Sequence, residues 1–401
     1  MTFAAIILGS LALVTTFLAW QIHQRGMGRW LGAYLLSLGK RTAPGPDQEI
    51  HLILCIADHF EPRFRNPSPE EASERVHRWR EEYPRNLGRF RDSDGRMPRH
   101  TFFFPAEEYA PEYIETLIDL CAQGHGEVEV HLHHDADTPG QLREKIVQFR
   151  DRLANQHGLL ARHRQTGEVA YGFIHGNWAL CNSAPDGRFC GVNNELDVLR
   201  ETGCYADLTM PSAPSPTQPP KLNCIYYAVD RKDRPRSHDE GVDVGQGPKP
   251  PESLMLIQGP LLFDWHRRKW GVFPRLENGC LQKSQPPSID RLPLWLRARV
   301  QVPARKDWFF VKLYCHGTIE EDHNALLGDP MVQFHADLAQ EAARNPRFHY
   351  HYVTAREMYN LVRAAEAGWT GTVADALDYE LLPGPAIRAA ARIPAGRTHH
   401  P

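Results

Sequence analysis

Gly126-Glu127-Val128-Glu129-Val130-His131-Leu132-His133-His134-Asp135 is the stretch whose reading decides the fold. Apolar β-branched residues alternate with polar ones, then three histidines and a carboxylate follow, and the pattern breaks at Thr138-Pro139-Gly140. Such a run predicts a short strand that stops at a loop. Imidazoles and a carboxylate grouped at a strand end are the donor types that suit zinc or a similar divalent cation. His131 and His133 stand two apart and share a strand face, whereas His131 and Asp135 stand four apart and can meet across a turn. The plainer alternative is a solvated, pH-sensitive loop.

Outward from this stretch the chain has a strand–helix rhythm. Apolar strand-like runs occur at residues 50–57, 100–104, 127–132, 168–174, 207–210, 254–258, 308–315 and 348–353. Between them lie helical patterns at residues 69–91 (with Ser68 as N-cap), 111–123, 141–153, 193–202, 330–344 and 355–365. This alternation predicts an α/β fold, a distorted (β/α)7-8 barrel over residues 49–367 with a Pro-rich insertion at 211–252. An open dinucleotide-binding sheet would bring a Gly-rich turn after its first strand. Here that turn is Asp58-His59-Phe60-Glu61-Pro62, without glycine.

The 401 residues carry 46 basic and 49 acidic side chains, so no polyanion-binding footprint stands out and nucleic acid is not an expected partner. Eight cysteines are scattered without a Cys-x-x-Cys pair, which argues against a zinc ribbon or a thioredoxin-like site. Residues 3–20 are almost continuously apolar and uncharged. They predict a transmembrane helix over residues 1–22, a juxtamembrane linker over 23–48, and a single-pass membrane location. Arg25, Arg29, Lys40 and Arg41 follow the apolar run, which places the body on the cytoplasmic side, with a periplasmic body as the competing topology. Residues 368–401, rich in Ala, Gly, Pro and Arg, read as a flexible tail.

Chemistry in such a barrel gathers at the C-terminal strand ends. Those ends offer Asp58 and His59, then Glu107 and Glu108, the His131–Asp135 cluster, His175 with Asn177 and Trp178, and late in the chain His316. Cys55-Ile56-Ala57-Asp58-His59-Phe60, the run closing on His131 with Asp135 four residues on, Phe173-Ile174-His175-Gly176-Asn177-Trp178, and Val311-Lys312-Leu313-Tyr314-Cys315-His316 follow one another in a definite order. That order resembles the motifs of the polysaccharide deacetylase family, the NodB-type carbohydrate esterases of the glycoside hydrolase–deacetylase barrel superfamily.

The resemblance implies metal-dependent removal of an N- or O-acyl group from a polysaccharide or a lipid-linked sugar. It implies a divalent metal, Zn2+ first, drawn from His59, His131, His133 and Asp135. Asp58 becomes a base and His316 an acid, with His175, Asn177 and Trp178 shaping the substrate site. Only one carboxylate ends the first strand, so Asp58 is either base or metal ligand with His59 in the other role. The third ligand is one of His133, His134 and Asp135. Two other readings remain: a metal-independent glycosidase pairing Asp58 with Glu107 or Glu108, and a glycan-binding or assembly protein whose site has degenerated.

Overall fold

The computed structural model describes residues 2–24 and 26–391. Its strands are β1 (Ile50–His59), β2 (His100–Pro105), β3 (Gly126–Leu132), β4 (Ala161–His163), β5 (Val169–His175), β6 (Cys204–Asp207), β7 (Ile225–Val229), β8 (Val242–Asp243), β9 (Ser253–Ile257), β10 (Leu262–Lys269), β11 (Phe273–Glu277), β12 (Cys280–Leu281), β13 (Trp308–Cys315), β14 (Phe348–Tyr352) and β15 (Leu381–Leu382). All but the β10–β11 hairpin belong to one mixed sheet. Parallel neighbours run β12-β13-β1-β2-β3-β5-β6-β9, after which β7 and β8 add in antiparallel sense.

Helices cover the outer face. Pro69–Leu87, Pro111–Ala122 and Pro139–Asp151 follow β1, β2 and β3. Ser68, Thr138 and Thr354 each start a helix with a reciprocal cap to Glu71, Gln141 and Glu357. Each such cap is worth about 1 kcal/mol. Strand alternation sends Leu52, Leu54 and Ile56 outward against Trp79 and the helices, while Ile53, Cys55 and Ala57 turn inward to Phe103, Ile174 and Phe310. The sheet therefore curls around a core of its own, and β1 is apolar on both faces, as a central parallel strand must be.

The expected barrel is corrected in one respect: its ladder stays open. Among the described residues no strand pairs β12 to β9 or β7. β12 is only two residues long, β14 pairs with the first half of β1, and the β7–β8 insertion occupies the far edge. A side chain crosses the interior instead: Lys312 Nζ of β13 donates to the carbonyls of Leu208 (2.6 Å) and Met210 (2.7 Å), just past β6.

The N-terminal expectation is overturned. Residues 2–24 form a helix whose apolar run is broken by Gly9-Ser10 and Thr15-Thr16. Among the described residues, no helix is long and apolar enough to cross a membrane. The membrane-spanning helix over residues 1–22, and with it the single-pass membrane location, does not stand. Within residues 23–48, Trp30 and Tyr34 are buried, their rings 5.8 and 4.9 Å from that of Phe263 on the hairpin. Of the expected flexible tail, residues 392–401 lie outside the described residues. Before them β15 pairs with β4, and Asn360 Nδ2 donates to Leu381 O at 2.8 Å.

Glu129, inside the curl, accepts from Tyr205 OH (2.7 Å) and Gly172 N (2.6 Å). Burial, against these two bonds, pushes its carboxyl up to about 8. A carboxyl pKa raised on folding favours the native state fully below the ordinary value near 4.5, and that contribution is lost as pH climbs towards 8. Glu129→Gln is expected to gain stability relative to wild type progressively over this window. Denaturant midpoints that differ by the same amount at both ends would contradict the assignment.

Candidate metal centre

The alternation that sends Ala57 inward sends His59 inward too, at the rim of the curl, and the chain then places Glu61 beside it. β3 delivers His131 to the same place, with His133 above it. His59, Glu61 and His131 are buried, and one donor atom from each lies within 4.8 Å of the other two. Glu61 Oε1 is the hub: it stands 3.2 Å from His131 Nε2, 3.7 Å from His133 Nε2 and 3.9 Å from His59 Nδ1. A tetrahedral ion with bonds of about 2.1 Å sets its ligand atoms about 3.4 Å apart, which is the spacing of the inner pair.

Proton positions follow from the partners. His131 Nδ1 faces the Ile174 carbonyl at 2.8 Å, which only accepts, so Nδ1 carries the hydrogen. With Nδ1 so committed, Nε2 meets the Glu61 carboxylate with a bare lone pair when the ring is neutral and with an N–H when the ring carries a second proton. His133 repeats the design, with Nδ1 2.5 Å from Glu107 Oε1 and its own N–H donating to that oxygen at 3.2 Å. Carboxylates and carbonyls that hold the far nitrogen of a histidine are the usual outer support of a metal ligand. Lone pairs converging on a buried carboxylate repel one another unless a cation or a proton lies between them.

Burial, then the neighbouring His316 and His131, holds His59 well below the ordinary imidazole value. Burial pushes the Glu61 carboxyl up, but the His131 hydrogen bond and the surrounding imidazoles bring it net below its usual value. Burial pulls His133 down, but its bond to Glu107 and the charges of Glu61, Glu107 and Glu108 together leave it raised. His316 ends the neighbouring β13 with its ring centroid 4.7 Å from that of His59. Burial lowers His316, against the pull of Glu61 and Asp58. The Trp178 ring lies 6.2 Å from His59 and 6.3 Å from His316.

The sequence expectations divide along the strand faces. His59, His131, His133, His316 and Trp178 converge, with Asn177 exposed beside them on the same loop. Asp58 does not join them. It points to the outer face, where Oδ1 accepts from Gly317 N at 2.6 Å and Oδ2 stands 3.2 Å from His100 Nε2. As a base at this mouth it is corrected to a brace for the His316 turn, because one residue along a strand reverses the face. His175 is likewise outward and fully buried, away from any substrate. Asp135 is exposed and accepts from Phe189 N at 2.6 Å, far from a ligand role.

Glu61 and Glu107 are the residues that sequence reasoning did not assign here. The signal for Glu61 was its position two residues beyond His59, in the turn already quoted. No protein-family model and no curated protein matches this chain. The site rests on its own geometry.

Gly176 admits the His133 ring: a Cβ there would overlap His133 Cδ2 and Cγ. Gly176→Ala is expected to displace that ring and weaken metal retention by about ten- to a hundredfold, the usual effect of disturbing a ligand's surroundings. Competition with a chromophoric chelator measures it, and an unchanged dissociation constant would show that His133 does not support the centre.

Proposed function

We propose that this protein is a metal-dependent hydrolase that removes an acyl group from a sugar, either within a polysaccharide or on an apolar carrier. One observation carries the reading: His131, its Nδ1 hydrogen committed to Ile174 O, aims Nε2 at Glu61 Oε1 across 3.2 Å of buried space. His59, Glu61 and His131 suit a zinc-type cation, and a set of three leaves a coordination position open, as catalytic sites do. When bound, such a cation polarises an acyl carbonyl and makes water more acidic.

The protein's own groups supply the rest. His316, held low by burial, is unprotonated at neutral pH and free to take the proton of the attacking water. It then passes that proton to the departing amine or alcohol. Glu107 holds His133 in its tautomer, and Asp58 fixes the turn behind His316 through Gly317 N. Trp178 offers a ring face for stacking on a sugar.

The substrate class has a further support. A groove of about 670 Å3 lined by Trp30, Phe263, Trp265 and Trp270 extends to Tyr314, whose ring is 6.0 Å from His59. The groove shares only the buried Tyr314 with the surroundings of the histidines, and its apolar lining suits a greasy appendage of a substrate. A glycosidase pair finds less support, since Asp58 faces away and Glu107 is engaged by His133.

Acetate release from acetylated glycans and from a simple aryl acetate tests the reading. Chelation is expected to abolish release and zinc to restore it, and His131→Ala to lose activity together with metal. His316→Asn is expected to keep metal while kcat falls roughly 10²- to 10⁴-fold. Release that survives chelation would favour a metal-free mechanism. Sugar binding without release would make this a glycan-binding protein.

A further inference from the structure

A second group of donors lies on the other face of the same strand ends. Leu132 closes β3, and the chain beyond it sends His133 to the mouth and His134 outward. There His134 meets His175 from the end of β5, Cys190 from the loop after it, and Glu195 from the first turn of the helix Glu195–Glu201. All four are buried, and one donor atom from each lies within 4.8 Å of the others. Glu195 Oε1 is 3.3 Å from His134 Nε2 and 3.5 Å from His175 Nε2, and Glu195 Oε2 is 3.4 Å from Cys190 Sγ. The two distances from Glu195 Oε1 match edges of a tetrahedron around one ion, and the Cys190 sulfur lies against the other oxygen of the same carboxylate.

We propose that His134, His175, Cys190 and Glu195 form a closed, structural zinc site that pins the 176–194 loop to the sheet. Independent features of the surroundings support it. The Cys190 sulfur receives backbone N–H groups from Asn182 (3.2 Å) and Val192 (3.4 Å), contacts that a metal-bound thiolate would keep, whereas burial and Glu195 hold the metal-free thiol protonated. His175 Nδ1 is bonded to the Gly176 carbonyl, which turns Nε2 inward, and that buried nitrogen has no hydrogen-bond partner. Asp137 Oδ2 stands 3.3 Å behind His134 Nδ1 and is itself held by Lys145 at 2.8 Å. His175 thus has the outer support that metal-ligating histidines have, and Asp137 stands at ion-pair distance from His134 without a hydrogen bond to it.

Charge favours the same occupant. A dication with one thiolate, one carboxylate and two neutral imidazoles sums to zero, which is the inexpensive way to bury such a group. The Cys190 thiol proton leaves to solvent when the metal enters. No open position is needed, because four protein donors complete the shell and none of them is exposed.

The loop explains what the site does. Between Asn177 and Phe189 the non-glycine residues Asn177, Trp178, Cys181, Asn182 and Phe189 all have φ between 51° and 69°. Such left-handed residues persist only where the surroundings over-determine them. Gly191, at φ 90°, lets the chain beside Cys190 lie against the Ala136–Asp137 backbone, where a Cβ would clash. Pinning this loop holds Trp178 at the catalytic mouth, so the second ion is a positioning element and does not depend on the hydrolase reading.

Zinc content and zinc-edge X-ray absorption of the full chain decide the proposal. The expected result is one equivalent for each site, with a sulfur scatterer in the shell of one of them. His59, Glu61 and His131 contain no sulfur, so loss of the catalytic ion in His131→Ala is expected to leave the sulfur signal intact. Cys190→Ser is expected to abolish that signal, and Glu195→Gln to lower the zinc retained by one equivalent. Cys315→Ser, which removes the other buried sulfur beside an imidazole, is expected to preserve it and so assigns the signal even if Cys190→Ser fails to fold. Folded wild-type protein whose zinc has only nitrogen and oxygen neighbours would overturn the proposal, as would a sulfur signal lost in Cys315→Ser.

Discussion

Repulsion between lone pairs in a dry rim is the constraint on which the structure turns. Three imidazole nitrogens look towards a single carboxylate oxygen, that of Glu61, at 3.2, 3.7 and 3.9 Å. Water cannot solvate it there, since His131 is fully buried and Glu61 is 5% exposed. An isolated buried carboxylate costs several kcal/mol, so something positive belongs among these groups. Protons answer it only in part: against burial, neighbouring carboxylates raise His133, whereas burial and mutual proximity depress the His59 imidazole. A divalent cation answers all of the contacts together.

The period of a β-strand divides the strand ends into two chemistries. His59, His131 and His133 face the mouth, whereas Asp58, His134 and His175 face the helices. At the mouth His59, Glu61 and His131 group three donors, and the outward group has four. The 176–194 loop joins them, carrying Gly176 and Trp178 to the mouth and Cys190 to the outer cluster. The two donor groups therefore share a loop without sharing a face.

Much of the fold was legible in the residues. β13 runs over Trp308–Cys315, where the apolar pattern put it, and Ser68 caps its helix by hydrogen bonds in both directions. The residues of β6 are shifted to Cys204–Asp207 because tertiary pairing with β9, not local pattern, sets its limits. The β10–β11 hairpin escaped notice, since Trp265-His266-Arg267-Arg268-Lys269 is polar and half of it lies on the surface. The N-terminal apolar run invited a membrane span that no described helix meets. At the site, His59, His131, His133 and His316 were readable from strand ends. Asp58 and His175 were misplaced because a one-residue shift in where a strand stops reverses a side chain. Glu195 was not readable at all: its partners come from three separate segments, a pairing that only the folded chain reveals.

Anomalous diffraction from crystals of the full chain, recorded on both sides of the zinc edge, addresses the central claim most directly. The account predicts an anomalous peak enclosed by His59, Glu61 and His131, within bonding distance of Glu61 Oε1. Crystals grown with zinc that show ordered side chains but no peak among these three residues would contradict it.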